Sequence, residues 1–153
     1  MTHEPQSSHA LEAAARRRRE LRDALFSFEE AISSPAADRE AWRAGVADGL
    51  RGLAHAFADH VSETEGSGGL YEEMEDIAPH LSAKARRLRD EHPPITEALG
   101  TTAARLATPL AEDVDLDALR DDLQRLMGRI VRHRQHGADL VWAAYAVDIG
   151  GAG

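Results

Sequence analysis

The most regular apolar pattern in this chain runs through residues 115–147, DLDALRDDLQRLMGRIVRHRQHGADLVWAAYAV. Its apolar residues recur every three or four positions, a spacing that places side chains on one face of an α-helix. That face consists of Leu119, Leu123, Leu126, Ile130, Leu140, Ala144 and Val147, and it is interrupted by His133 and Gly137. The stretch predicts an amphipathic helix, helix D, that begins at Asp115 or Asp117 and carries a histidine on its buried face.

Three earlier segments show the same spacing. Helix A is predicted over residues 8–32, helix B from a cap at Asp38 onward, and helix C from about Pro79. Pro93 and Pro94 remove two backbone donors inside helix C and clash with the preceding turn, which predicts a kink or a restart there. Four long helices with short connections are typical of an all-α, up-down-up-down four-helix bundle.

Length and composition agree with one helical domain. The chain has 153 residues, of which only 5% are aromatic, and a chain of this length buries about 70% of the surface that it exposes when unfolded. We expect a single domain over residues 8–148, a disordered start over residues 1–7 and a mobile tail over residues 149–153.

Charge and residue usage exclude several classes of protein. The absence of cysteine excludes thiolate metal ligands, iron–sulfur clusters and cysteine nucleophiles. The net charge of −9 argues against nucleic-acid binding, since the basic block at residues 16–19 lies inside helix A. No apolar stretch approaches the roughly 20 residues of a membrane span, and residues 1–8 lack a signal-peptide pattern. These features predict a cytoplasmic protein without nucleic-acid or membrane partners.

Three histidines occupy positions where an apolar helix face calls for leucine. His60 lies on the face of helix B, His92 on that of helix C and His133 on that of helix D. A lone histidine on such a face is usually a hydrogen-bonded core residue, whereas three on different helices can meet inside a bundle. Together they predict a buried metal site built from side chains on facing helices.

Whether the three histidines share one layer depends on where the chain reverses between helices B and C. A reversal at the glycines around Gly66 would separate His60 from His92 by roughly 30 Å along the bundle, at a rise of about 1.5 Å per residue. A reversal at Pro79 places Glu65 14 residues before the turn and His92 13 residues after it, so that their heights match. The metal site therefore requires helix B to continue, with a bulge, past the glycines.

Nearby residues complete the candidate ligand set. Glu63 follows His60 by three residues, whereas Glu65 follows it by five and faces inward only if a π-type bulge turns it. On helix D, His136 follows His133 by three residues and lies beside the apolar face. Imidazole and carboxylate without thiolate suit iron, manganese or zinc, and open coordination positions suit iron that binds oxygen species.

The residues around these histidines resemble a known family. The resemblance rests on His60-Val-Ser-Glu-Thr-Glu65, Gly69-Leu-Tyr, Pro79, Leu88-Arg-Asp-Glu-His92-Pro-Pro-Ile95 and His133. Over about residues 55–148 the chain looks like the hemerythrin-like, or HHE cation-binding, domain. That resemblance implies a four-helix bundle that holds a non-haem di-iron centre through histidines and bridging carboxylates, and that carries or senses oxygen, nitric oxide or iron.

By this match, His60, His92 and His133 are the histidine ligands, and Glu65 or Glu63 is the bridging carboxylate. The chain departs from the family at three further positions. Arg18 or Ala14 occupies the level of the first-helix histidine, Leu88 replaces the paired histidine of helix C, and Ala138 replaces the last-helix carboxylate. The ligand set is therefore incomplete, which leaves a dinuclear iron site, a mononuclear one and a site without metal open.

Three functions remain. The first is a hemerythrin-like protein that binds iron and a small ligand such as oxygen or nitric oxide. The second is a metal-free helical bundle that acts as an interaction or scaffold protein, and homo-oligomerisation is open in either case. The third, a metal-dependent oxidase or peroxidase, is least favoured because the sequence identifies no catalytic residue and no substrate pocket.

Overall fold

The computed structural model describes residues 8–150, and of residues 147–150 it describes the backbone alone. Over this range the chain is all-helical, which confirms the predicted class. Its helices are α1 (His9–Ser33), α2 (Arg39–Glu65), α3 (Leu70–Ile77), a 3-10 turn (Pro79–Leu81), α4 (Ser82–Leu106) and α5 (Leu116–Gly150). The predicted disordered start, residues 1–7, and the side chains of the predicted tail, residues 149–153, lie outside the described residues. None of the described helices has an apolar stretch that would cross a bilayer.

Side-chain caps set the starts of three long helices. Ser8 accepts a hydrogen bond from the backbone N–H of Leu11 at the start of α1, and Asp38 accepts one from Ala41 at the start of α2. Asp115 accepts from two backbone N–H groups at the start of α5, at 3.0 and 3.3 Å. Each contact satisfies a donor that a helix terminus leaves unpaired. Of the two predicted starts of helix D, Asp115 is the residue that caps α5.

The helices bury two apolar clusters. Helix α1 packs on α2 and α5, and α4 packs on α2 and α5. The first core cluster includes Leu21, Leu25, Phe28, Leu53, Phe57, Ile95, Leu123 and Ile130. The second core cluster includes Ala14, Leu70, Met74, Leu81, Ala85, Leu88, Leu140 and Ala144. On α4, His92 lies between Leu88 of the second cluster and Ile95 of the first, so the histidine layer lies where the two clusters meet.

The connection between α2 and α4 differs from the prediction. Helix α2 ends at Glu65, with the N–H of Gly66 bonded to Ser62 at 3.0 Å, so the predicted continuation of helix B past the glycines through a bulge is wrong. The reason is local, because Gly66 takes an extended conformation with φ −67° and ψ 164° directly after the helix, and Gly68 continues the turn with a positive φ of 72°. The chain nevertheless returns to the same layer, since Glu65 and His92 come within 3.4 Å of each other.

The prolines of α4 do not restart the helix. Helix α4 runs without interruption from Ser82 to Leu106 and contains both Pro93 and Pro94. The two prolines are exposed, whereas His92 and Ile95 beside them are buried. The carbonyl groups that lose their partners to proline can therefore bond to water.

Gly69 is required by the tight turn that begins α3. A Cβ at this position would lie 2.5 Å from the carbonyl oxygen of Glu63 and 2.7 Å from that of Gly66. We expect Gly69→Ala to lower the free energy of unfolding by about 1–3 kcal/mol, measured by urea denaturation, because backbone atoms must move. In Gly52→Ala the new Cβ meets nothing within 4 Å, so this helical control should be stabilised by about 0.5–1 kcal/mol. Equal effects of the two substitutions would contradict this account of the turn.

Candidate metal centre

The three predicted histidines meet in one buried cluster. The exposed fractions of His60, His92 and His133 are 6%, 1% and 2%. Nε2 of His133 lies 3.2 Å from Nε2 of His60 and 3.1 Å from Nε2 of His92. One ring nitrogen from each histidine can be chosen so that all three lie within 4.8 Å of one another. Three residues distant in sequence therefore present nitrogen donors to one point.

Phe57 supports all three imidazole rings. Its ring centroid lies 5.8 Å from that of His60, 5.7 Å from that of His92 and 5.8 Å from that of His133. Phe57 belongs to the first core cluster and is 1% exposed. It fixes the ring positions by packing and keeps water away from one side of the cluster.

The buried setting keeps the histidines neutral. Burial, with smaller contributions from the nearby imidazoles of His92 and His133 and from the Arg18 guanidinium, lowers the pKa of His60 to about 3. Burial, His133 and Arg89 likewise lower the pKa of His92 to about 3. The pKa of His133 is also lowered, mainly by burial, although Glu91 opposes the shift. Neutral imidazole is the form that donates a lone pair to a metal.

Protein groups alone do not satisfy the hydrogen bonding of this cluster. Each neutral imidazole carries one N–H and one lone pair. Among the described residues, Nδ1 of each of the three histidines is buried without a hydrogen-bond partner. If all three hydrogens are on Nδ1, three Nε2 lone pairs face one another, and for every histidine whose hydrogen is on Nε2, the buried Nδ1 lone pair receives no donor. A cation between the Nε2 atoms removes this conflict.

Two carboxylates lie behind the rings. An oxygen of Glu65 is 3.4 Å from Nδ1 of His92, and an oxygen of Glu91 is 3.6 Å from Nδ1 of His133. Arg89 holds the other oxygen of Glu65 at 2.8 Å. Each carboxylate is close to the nitrogen that points away from the cluster, where it favours an N–H on Nδ1 and leaves Nε2 free to bind a metal.

Sequence reasoning missed Glu91. It precedes His92 by one residue and therefore does not lie on the apolar face of helix C. Its spacing from Leu88 indicates its position, because Leu88 lies on the apolar face and residues three apart on a helix are neighbours on its surface.

Two other candidate ligands lie elsewhere. Glu63 is 3.8 Å from Arg17 at the surface between α1 and α2. His136 is exposed and lines a surface groove between α4 and α5. Neither residue belongs to the cluster of three histidines.

Tyr71 of α3 adjoins the histidines from another direction. Its hydroxyl is 3.5 Å from Nε2 of His92, and its ring stacks on that imidazole with centroids 6.0 Å apart. Burial and the carboxylates of Glu65 and Glu91 raise the pKa of Tyr71 to about 12, so that the phenol keeps its proton at neutral pH. The sequence indicated Tyr71 only as part of the family resemblance.

A cavity of about 20 Å³ adjoins the cluster. Its polar lining comes from Arg18, His60, Thr64, Tyr71 and His133, and its apolar lining includes Ala14, Leu70, Leu88 and Leu140 of the second core cluster. A volume of this size accommodates about one water-sized group. The family resemblance implies metal ligands at the positions of Ala14 or Arg18 and of Leu88. In the structure these three residues line one cavity.

No protein-family model, no curated protein and no solved structure matches this chain. The resemblance to the hemerythrin-like domain stays a prediction from the sequence.

Proposed function

We propose that this chain is a hemerythrin-like metal-binding protein in which Nε2 of His60, His92 and His133 hold one transition-metal ion. The observation that carries the proposal is the pair of Nε2 separations, 3.2 and 3.1 Å. Metal–nitrogen bonds of about 2.0–2.1 Å at tetrahedral or right angles put neighbouring ligand nitrogens about 2.9–3.4 Å apart. Both pairs that include His133 are therefore spaced as ligands of a single ion, and each of the three rings offers a nitrogen within 4.8 Å of the others.

The positions of the carboxylates support a mononuclear site. A bridging carboxylate would have to reach the same side of the rings as Nε2. The nitrogen of His92 nearest to Glu65 is Nδ1, and so is the nitrogen of His133 nearest to Glu91. We therefore assign Glu65 and Glu91 the role of orienting the histidines, which gives the imidazoles more electron density to donate.

Three protein nitrogens leave coordination positions open for a small exogenous ligand. Non-haem iron is the metal that the family resemblance implies, and oxygen or nitric oxide is the ligand class that goes with it. The proposal includes an up-down-up-down bundle and a cytoplasmic location.

Tyr71 can donate a hydrogen bond to a ligand near Nε2 of His92, and Phe57 keeps water from the other side of the cluster.

Metal content tests this function directly. We expect protein loaded anaerobically with ferrous iron and then desalted to retain one iron per chain by elemental analysis. The His92→Ala, His133→Ala double variant should retain none. A double variant at the exposed histidines, His55→Ala, His80→Ala, should retain one. Protein that retains no metal after loading would overturn the proposal and favour the metal-free interaction protein.

Glu91 offers a test of the orienting role. We expect Glu91→Gln to weaken metal binding about tenfold, because the neutral amide no longer favours the N–H on Nδ1 of His133. The dissociation constant is measured by competition with a chromophoric chelator. Asp90→Asn removes the same charge at the exposed neighbouring position and should change the constant less than twofold. A matching loss in both variants would attribute the effect to net charge and contradict the role of Glu91.

A further inference from the structure

We propose that the cavity beside the histidines is a site for a small anion, held between the metal and the guanidinium of Arg18. This inference rests on the proposed metal site and deepens it, because it names the charge class of the exogenous ligand. Arg18 or Ala14 takes the place that the family resemblance assigns to a histidine, and since both line the cavity, this chain presents a cation beside the position where a further metal ligand is implied.

The lining of the cavity supplies the geometry. Arg18 from α1, Tyr71 from α3 and the ligand histidines His60 and His133 face the same 20 Å³. The remaining lining is mostly apolar, which removes competing water and strengthens each electrostatic contact. A volume of this size admits about one water-sized group and excludes a carboxylic acid with a bulky side chain.

Electrostatics favour a negative ligand. Arg18 is half-buried, and burial together with the charges of Arg134 and Arg19 lowers its pKa. Arg134 also donates a hydrogen bond from Nε to the carbonyl oxygen of Arg18 at 3.2 Å, which places a second cation beside the first. A guanidinium that is partly desolvated among other cations is stabilised by an anion in contact with it.

The neighbouring arginine shows the contrast. Arg17 is 2.9 Å from Glu20, 3.6 Å from Asp59 and 3.8 Å from Glu63, so three carboxylates compensate its charge. The nearby charges that shift the pKa of Arg18 are those of arginines. Glu20, Asp59 and Glu63 therefore pair with Arg17, whereas Arg18 lines the cavity.

Two further features suit an anion that enters from solvent. The protonated phenol of Tyr71 can donate a second hydrogen bond to a ligand in the cavity. Leu88 and Leu140 line both this cavity and the surface groove of about 630 Å³ between α4 and α5. Rotation of these two side chains gives a short route from the groove to the metal.

Azide binding to cobalt-loaded protein tests the inference. The chain is loaded with one equivalent of Co(II), azide is titrated, and the visible d–d absorption reports ligation at the metal. We expect Arg18→Gln to raise the azide dissociation constant about tenfold or more, because a charge-assisted hydrogen bond is lost. The matched control, Arg19→Gln, removes the same charge at an exposed neighbouring position and should change the constant less than twofold.

Two further measurements complete the test. Arg18→Lys keeps the charge and should bind azide more tightly than Arg18→Gln, whereas the affinity of ferrous protein for neutral nitric oxide should change less than threefold in all variants. Azide affinity that does not depend on residue 18, or an equal loss in Arg19→Gln, would overturn the anion site while leaving the metal site intact. Failure of the wild-type protein to take up cobalt would overturn both proposals.

Discussion

Replacement of His133 with leucine should stabilise the metal-free protein while it abolishes metal binding. His133 lies on the apolar face of α5 between the buried Ile130 and Leu140, so leucine fits the position by size and polarity. In the metal-free wild type, His133 brings its Nε2 within 3.2 Å of two other imidazoles, and its buried Nδ1 has no hydrogen-bond partner among the described residues. Removal of such a group is worth about 1–3 kcal/mol in the free energy of unfolding.

Urea denaturation with and without metal separates the two effects. In chelator, we expect His133→Leu to unfold at a higher urea concentration than the wild type. At a free metal concentration 1,000 times the dissociation constant, the wild type should gain about 4 kcal/mol and the variant nothing, which reverses their order. His136→Leu, three residues further on at an exposed position, should leave metal-dependent stabilisation unchanged. A variant less stable than the wild type in chelator would show that the histidines form a satisfied core.

The three histidines could be identified from the sequence for the same reason that we expect them to destabilise the metal-free protein: they are polar residues in buried positions. A helix face reveals its buried positions through spacing alone, so His60, His92 and His133 were each recognisable as polar residues in apolar positions. Their common height was predicted by counting residues at a fixed rise, on the premise, which the structure contradicts, that helix B continues past the glycines. The structure brings the three together although α2 stops at Glu65, because the chain leaves the layer through α3 and returns through α4.

The carboxylates could not be placed in the same way. Their positions depend on a rotation about the helix axis and on side-chain torsions, which spacing does not determine. Glu65 is the last residue of α2, beside the turn at Gly66, so a regular helical wheel does not give its direction. Glu91 interacts with a residue of α5 and not with its own helix. Arg18 was recognisable as a departure from the family pattern, but its place in a cavity with Tyr71 needed the packing of α3.

Acidification should unfold the metal-free protein earlier than the protein with metal bound. His60 and His92 have folded-state pKa values lowered to about 3 from 6.5. The unfolded chain therefore takes up protons that the folded chain excludes, and stability falls as the pH drops below about 6.5 toward 3. Each histidine contributes a slope of about 1.4 kcal/mol per pH unit to the free energy of unfolding within that window.

The contribution of the histidines to the pH dependence of stability can be separated from that of the carboxylates by the choice of pH range and variant. Between pH 6.5 and 5.5 most carboxylates stay ionised in both states, so urea denaturation in chelator reports mainly on histidine. We expect the His60→Leu, His92→Leu double variant to lose most of the pH dependence that the wild type shows there. At a fixed excess of free metal, bound metal should raise the wild-type curve without changing its slope, because the folded histidines bind no protons in this window with or without the ion. An equal slope in the wild type and the double variant would mean that these imidazoles titrate in the folded protein and are not held neutral by burial.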